Sequence, residues 1–302
     1  MTGADPQTRC AVESRVRGEA LAGTASRVTR WVLVEQPGAW GADALVESRL
    51  DVAIGQALVA AGREHGFRPL LIRRPGWRKP DGARRVYLAR TLPEGGWIER
   101  LDVDDPATLV ELDWRALRSP TPPGLGGPGP AGVHLVCTNG RHDPCCADRG
   151  RPVVRSLDEA DSPEVWESTH VGGDRFAANL VHLPTGVYYG RVEPDEAAGL
   201  VADLAEGVLR LERYRGRSCF SPLTQAAEAF ARHELGERRL RGLRIVHAER
   251  HGADRLAVRV GHEQGDLEVV VHRERAEPEP LTCHAAPARP WRYVLDVVRR
   301  AS

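Results

Sequence analysis

Lysine is all but missing from this chain of 302 residues: Lys79 is the only one. That excludes a lysine nucleophile or Schiff base anywhere else. The remaining basic residues are arginines spread along the whole length, a compositional bias rather than a patch. Net charge is missing too, because Lys+Arg and Asp+Glu both number 42. A protein whose main work is holding nucleic acid phosphates would be strongly basic, so no nucleic acid partner is expected. No apolar run approaches the ~20 residues that span a bilayer, so no membrane partner is expected. The opening MTGADPQTRC has neither the basic nor the apolar region of a secretory signal, which makes a cytoplasmic location the expectation. No G-x-G-x-x-G opens a helix, and there is no P-loop and no G-x-S-x-G elbow.

What is present is an ordinary globular composition, 41% hydrophobic and 28% charged, at a length that suggests two domains. WVLVEQ at 31–36 reads as a buried strand, and Leu50, Ile54, Leu58 and Ala61 recur at helical spacing before Gly66. FRPLLIRR, RRVYLART and WIERLDV read as three strands, and a helix is expected from Asp105 or Pro106 through Leu117. Residues 1–29 read as a strap over this first unit. The stretch SPTPPGLGGPGPAG is dominated by Gly and Pro and marks a linker. The expected division is therefore an N-terminal α/β domain at 1–118, a linker at 119–132, a second α/β domain at 133–218 and a C-terminal α+β unit at 219–302. In the second domain, a strand at 132–137 runs into a loop. A helix at 152–160, a strand at 165–169, a hairpin around Pro184-Thr185-Gly186 and a helix from Pro194 come next. The last unit reads as a helix at 222–235, with Thr224 a candidate cap, and alternating strands of an antiparallel sheet.

Six cysteines in a chain of this length are no disulfide framework. Cys10, Cys219 and Cys283 stand alone, whereas Cys137, Cys145 and Cys146 fall within ten residues. Outside an export context such a cluster points to a metal or redox site. It lies in Cys137-Thr-Asn-Gly-Arg-His-Asp-Pro-Cys145-Cys146, and a second polar stretch, Thr169-His170-Val-Gly-Gly-Asp174, also comes after an expected strand. Both read as loops at strand ends, where an α/β sheet gathers its site. Two cysteines on one loop and a histidine on the other supply most of a metal's ligands. Thiolates select zinc, copper(I) or iron–sulfur iron, and imidazole suits zinc and iron alike. The eight residues between Cys137 and Cys146 are too many for a zinc-finger C-x₂₋₄-C pair and suit a larger object such as a two-iron cluster. Gly172 and Gly173 would let backbone N–H groups approach its sulfides. The absence of C-x-x-C weakens a dithiol-exchange reading.

The chain resembles the sucrase/ferredoxin-like family. The likeness is carried most specifically by CTNGRHDPCCADRG and HVGGDRFAANLVHLPTGVYYGRV, and also by RGEALAGTASRVTRWVLVEQPGAWG and RGRSCFSPLTQAAE. The resemblance implies a thioredoxin-like ferredoxin in the second half. The similar strand order of the first half suggests a degenerate thioredoxin-like partner, giving two thioredoxin-like layers plus the C-terminal unit. It further implies a [2Fe–2S] cluster held by Cys137, Cys146 and His170. Where family members carry a second histidine in H-x-G-G-H, this chain has Asp174, a harder and more anionic ligand that should lower the potential. Cys145, Cys283, His142 and His182 are the other candidates for the fourth position, and loss of the cluster is a further alternative. An electron carrier is expected rather than a stand-alone enzyme, with a redox donor such as a flavin reductase and an unnamed acceptor. Despite the family's name, no pair of carboxylates can be placed for glycoside hydrolysis. The competing reading is a thioredoxin-fold binding or scaffold protein with a zinc site, a dithiol site or no cofactor.

Overall fold

The structure, a computed structural model, describes residues 9–77 and 82–301; Lys79 lies outside them. Strands β1 (Arg30–Glu35), β2 (Arg68–Arg73), β3 (Arg84–Arg90) and β4 (Trp97–Val103) succeed one another with α2 (Val52–His65) between the first two. β1 runs parallel to β2 and antiparallel to β3, and β3 pairs with β4. The pattern then recurs. β6 (Val133–Cys137) is parallel to β7 (Val165–Ser168) and antiparallel to β8 (Leu180–Leu183), which pairs with β9 (Val187–Tyr189). Each half thus has the order fourth-third-first-second, the arrangement of a thioredoxin-like layer.

The halves meet through β2 and β7, antiparallel at Ile72↔Ser168 and Arg73↔Glu167. With β5 (Gly127–Pro128) on one rim and β10 (Tyr214–Arg217) on the other, they make a single ten-stranded sheet. The seam is tied by a buried ion pair, Arg73 Nη2 to Glu167 Oε2 at 2.6 Å. Alternation along the strands splits the core. Trp31, Leu33, Ile72 and Tyr87 share one face with Leu135, Cys137, Val181 and Tyr188 of the other half. On the opposite face each half has its own cluster, built on Val32 and Leu88 in the first and on Val136 and Leu180 in the second. Burial on both faces explains why these strands read as continuous apolar runs.

Several expectations change. The helix expected over 105–117 is two separate 3₁₀ segments, Pro106–Glu111 and Trp114–Arg118. Asp105 and Asp113 each cap their own segment, accepting from Ala107 N and Arg115 N, and the extended Leu112 between them stops one continuous helix. The Gly/Pro stretch is not a free tether. Glu99 accepts hydrogen bonds from the N–H groups of Gly124, Leu125 and Gly126, and β5 pairs with β4. α3 (Pro144–Glu159) begins eight residues before the expected 152, because Asp143 caps it and accepts from Cys145 N at 2.8 Å. The N-terminal strap serves both halves: the short α1 (Cys10–Val16) packs against the turn at Asp174–Phe176, while Val28 O and Thr29 O accept from Thr91 Oγ1 and Thr91 N at 2.9 Å beside the first half.

α4 (Pro194–Ala205) closes the second half behind a Glu193–Glu196 capping box. In the C-terminal region α5 (Pro222–Leu235) is capped by Ser221, with Thr224 donating to it rather than capping. It buries Leu223, Ala227 and Ala231 against a four-stranded antiparallel sheet of β11 (Arg244–Arg250), β12 (Arg255–Gly261), β13 (Leu267–Arg275) and β14 (Trp291–Arg300).

Candidate metal centre

Cys137 is the last residue of β6, and Cys146 sits in the first turn of α3, a few residues on. Asp143 and Pro144 start that helix, and Cys137 and Cys146 are both buried, each about 1% exposed. His170 lies just past the end of β7, which is parallel to β6, so the two strand ends bring its ring to the sulfurs. The donor atoms of Cys137, Cys146 and His170 fall within 4.8 Å of one another.

Asp174 comes next, in the short 3₁₀ turn. Its Oδ1 stands 3.2 Å from Cys146 Sγ and 2.8 Å from His170 Nδ1. Asp174 thus bridges the histidine to the second sulfur. His142, from the segment before α3, stacks on His170 with ring centroids 3.9 Å apart, and its Nε2 is 3.7 Å from Asp174 Oδ2. Cys145 and Cys283 fall in a different cluster. His182 lies tilted against His134, ring centroids 4.8 Å apart, and is bonded through Nδ1 to Thr185 Oγ1 at 2.8 Å. Of the candidates for the fourth position, Asp174 and His142 are the two placed beside His170.

The electrostatics favour ligand forms at one sulfur. The hydrogen bond from Cys146 pulls the Cys137 thiol down to about 5, with His170 helping against burial, while the same contact pushes Cys146 up. Burial alone would depress His170, but Asp174 and Cys137 outweigh it and raise the imidazole to about 9. Burial likewise opposes the Asp174 carboxylate, and His170 more than compensates, so its pKa falls.

Gly172 and Gly173 both have positive φ, 104° and 84°. A Cβ at Gly172 would meet Ser26 Oγ and one at Gly173 would meet Arg215 Nη2, so the two glycines admit these neighbours. Arg215 is a residue that sequence reasoning missed. Buried on β10, its guanidinium donates to Gly172 O at 3.0 Å and Asn179 Oδ1 at 2.7 Å, and Asn179 Nδ2 in turn donates to Gly173 O at 2.8 Å. Burial lowers its pKa to about 9. Arg215 and Asn179 together hold the loop that presents His170 and Asp174. Trp166 packs in the same core as Cys137 and Cys146, and Phe176 is fully buried in the turn that carries Asp174, under the Arg215 guanidinium at 4.9 Å.

Two buried soft sulfurs and an adjacent imidazole meet at one place and could hold a metal ion, with the Asp174 carboxylate against the second sulfur. Among the described residues no helix is long and apolar enough to cross a membrane. No curated protein matches the chain. A solved structure that it matches is that of a cysteine-to-serine variant of the thioredoxin-like [2Fe–2S] ferredoxin from Aquifex aeolicus. The two are 21% identical with a TM-score of 0.26, over 28% of this chain and 99% of that one. The profile described as sucrase/ferredoxin-like matches residues 21–216, a span that holds both halves of the large sheet and every donor named above except Cys283. On that match the chain belongs to the sucrase/ferredoxin-like family.

Proposed function

We propose that the chain is a cytoplasmic electron-transfer protein that holds a [2Fe–2S] cluster through Cys137, Cys146, His170 and Asp174. The observation that supports this reading most directly is the meeting of two buried sulfurs with one partly exposed imidazole. When bound, such a cluster supplies one-electron chemistry, and imidazole in place of thiolate raises its potential. The chain's own residues would perform the rest. Cys137 and Cys146 would grip from the dry side, in the buried core that also holds Trp166. His170, its side chain 24% exposed, forms the outward edge where a partner can approach and where a proton can be taken up. The donor would be a redox protein such as a flavin reductase, and the acceptor a second redox protein.

Purification under nitrogen with iron and sulfide assays tests the reading. A red-brown protein with bands between ~400 and 600 nm is expected, as for cluster thiolate chemistry. Cys137→Ser and His170→Ala should each lose the colour, and Cys219→Ser should keep it. A colourless protein that binds zinc at Cys137 and Cys146 would instead favour a thioredoxin-fold scaffold. Asp174→His restores the H-x-G-G-H spacing and should raise the midpoint potential in a redox titration. If His142→Ala bleaches the protein while Asp174→Ala does not, His142 holds the fourth position.

A further inference from the structure

Cys145 and Cys146 are neighbours on α3, and about 100° of helical rotation separates them, so they face different surroundings. Cys146 joins the core of the large sheet, whereas Cys145 packs with Cys10, Ala11, Ala177 and Cys283. Cys10 opens α1, and Cys283 lies between β13 and β14. Three segments far apart in the chain therefore deliver one sulfur each to a single point. The Sγ atoms form a near-equilateral triangle, with Cys10–Cys145 at 3.6 Å, Cys145–Cys283 at 3.4 Å and Cys10–Cys283 at 3.6 Å.

Those separations identify what the triangle can hold. A disulfide needs ~2.05 Å between sulfurs, so none of the three pairs is bonded. Thiolates on one tetrahedral zinc, each at ~2.3 Å from the metal, stand about 3.8 Å apart. The observed triangle is only slightly tighter, a small adjustment from holding a single ion. Asp143, its Oδ2 3.8 Å from Cys10 Sγ, stands at the fourth corner. The same carboxylate accepts from Cys145 N at 2.8 Å, Thr282 Oγ1 at 2.8 Å and Cys283 N at 2.6 Å, which fixes α3 and the 282–283 segment relative to each other. Cys10 and Cys145 are buried, as in a closed structural site rather than a catalytic one with an open position.

We propose that Cys10, Cys145 and Cys283, with Asp143 at the fourth corner, bind one structural zinc ion that clamps the N-terminal strap and the 276–290 segment onto the start of α3. Two of the three sulfurs, Cys10 and Cys283, lie outside the stretch that matches the family. The site shares no donor with the Cys137–Cys146 centre and does not depend on what that centre holds.

The test is metal analysis of the full chain, purified under nitrogen from zinc-supplemented medium, with zinc and iron measured separately. About one zinc per chain is expected for the unaltered protein, for Cys219→Ser and for Cys137→Ser. Cys10→Ser and Cys283→Ser should fall below about a fifth of that while keeping the iron and colour of the unaltered protein. Zinc lost in Cys137→Ser but kept in Cys10→Ser would overturn the proposal, whatever the iron content. So would an unaltered protein that takes up no zinc, or an intact mass two hydrogens short, which reports a disulfide. Should Cys10→Ser and Cys283→Ser fail to fold, cobalt titration of chelator-treated Cys137→Ser, in which the other sulfur centre is broken, decides. Thiolate charge-transfer absorption saturating at about one cobalt per chain supports the site, and its absence refutes it.

Discussion

The two halves of the large sheet share a strand order and differ in the segment that leaves the first strand. After β1 the chain passes through Gln36 and Pro37 to Trp40. Its indole N–H donates to Gln36 O at 3.2 Å, and its ring lies under the Arg73 guanidinium at 4.1 Å. Residues 36–51 separate β1 from α2. After β6 the strand itself ends in Cys137, and only residues 138–143 intervene before α3 brings in Cys146. The stretch that leaves the first strand carries an aromatic–cation stack in one half and paired sulfurs in the other, and the two sit on opposite faces of the sheet. The lesson is that topology supplies the position and a handful of side chains decide the chemistry.

That contrast can be broken or sharpened by experiment. The largest effect is expected from Cys137→Ser, which should abolish iron binding and visible colour outright. Next comes the seam. Glu167 accepts from both Arg73 and Thr138, so Glu167→Ala removes the buried carboxylate that the two share at the seam and should destabilise by about 3–5 kcal/mol in urea unfolding. The sheet is continuous, so the transition should stay single; two separate transitions would show the halves to be independent. A smaller effect should appear in acid. His134 and His182 face each other across β6 and β8, and burial lowers them from the ordinary 6.5 to about 4 and about 3. Folded-state values below the unfolded one mean that stability is complete above pH 6.5 and declines as pH falls through it toward the lower values. At about 1.4 kcal/mol per pH unit per imidazole, the loss by about pH 5 is on the order of 2–4 kcal/mol. Thermal melts against pH should show it, and His134→Val with His182→Leu should flatten the slope. Val32 and Leu88 are paired across β1 and β3 in the first half and have nothing to titrate. The smallest effect is reserved for Trp40→Phe, expected to cost about 1 kcal/mol and to leave iron content untouched.

Much of this was legible in the sequence because burial on both faces writes itself as β-branched runs. RWVLVE and RPLLIR announce their strands directly, and Gly66 marks the end of α2 with its left-handed φ of 70°. Cys137, Cys146 and His170 were legible as donors because each stands next to a strand end or a polar turn. The early start of α3 was hidden by the Gly, Arg and Asp residues around it, although Asp143-Pro144 is a cap followed by a first-turn proline. Arg215 was invisible among so many arginines, since nothing local says which guanidinium turns inward. The meeting of Cys10 with Cys145 and Cys283 leaves no periodic trace, because each pair is more than a hundred residues apart in the chain.

The rims of the two sheets bear on how this molecule meets copies of itself. β5 is only two residues long and includes Pro128, which has no N–H to offer an incoming strand. At the opposite rim the N-terminal strap runs alongside β10, with Thr24 N donating to Arg215 O at 3.2 Å. The smaller sheet protects itself by charge: exposed Arg244, Glu249 and Arg250 line β11, and Arg292, Arg299 and Arg300 line β14. Two sheets guarded in these ways present little free edge to another copy, so crowding should leave copies of the chain unstacked and free to turn over.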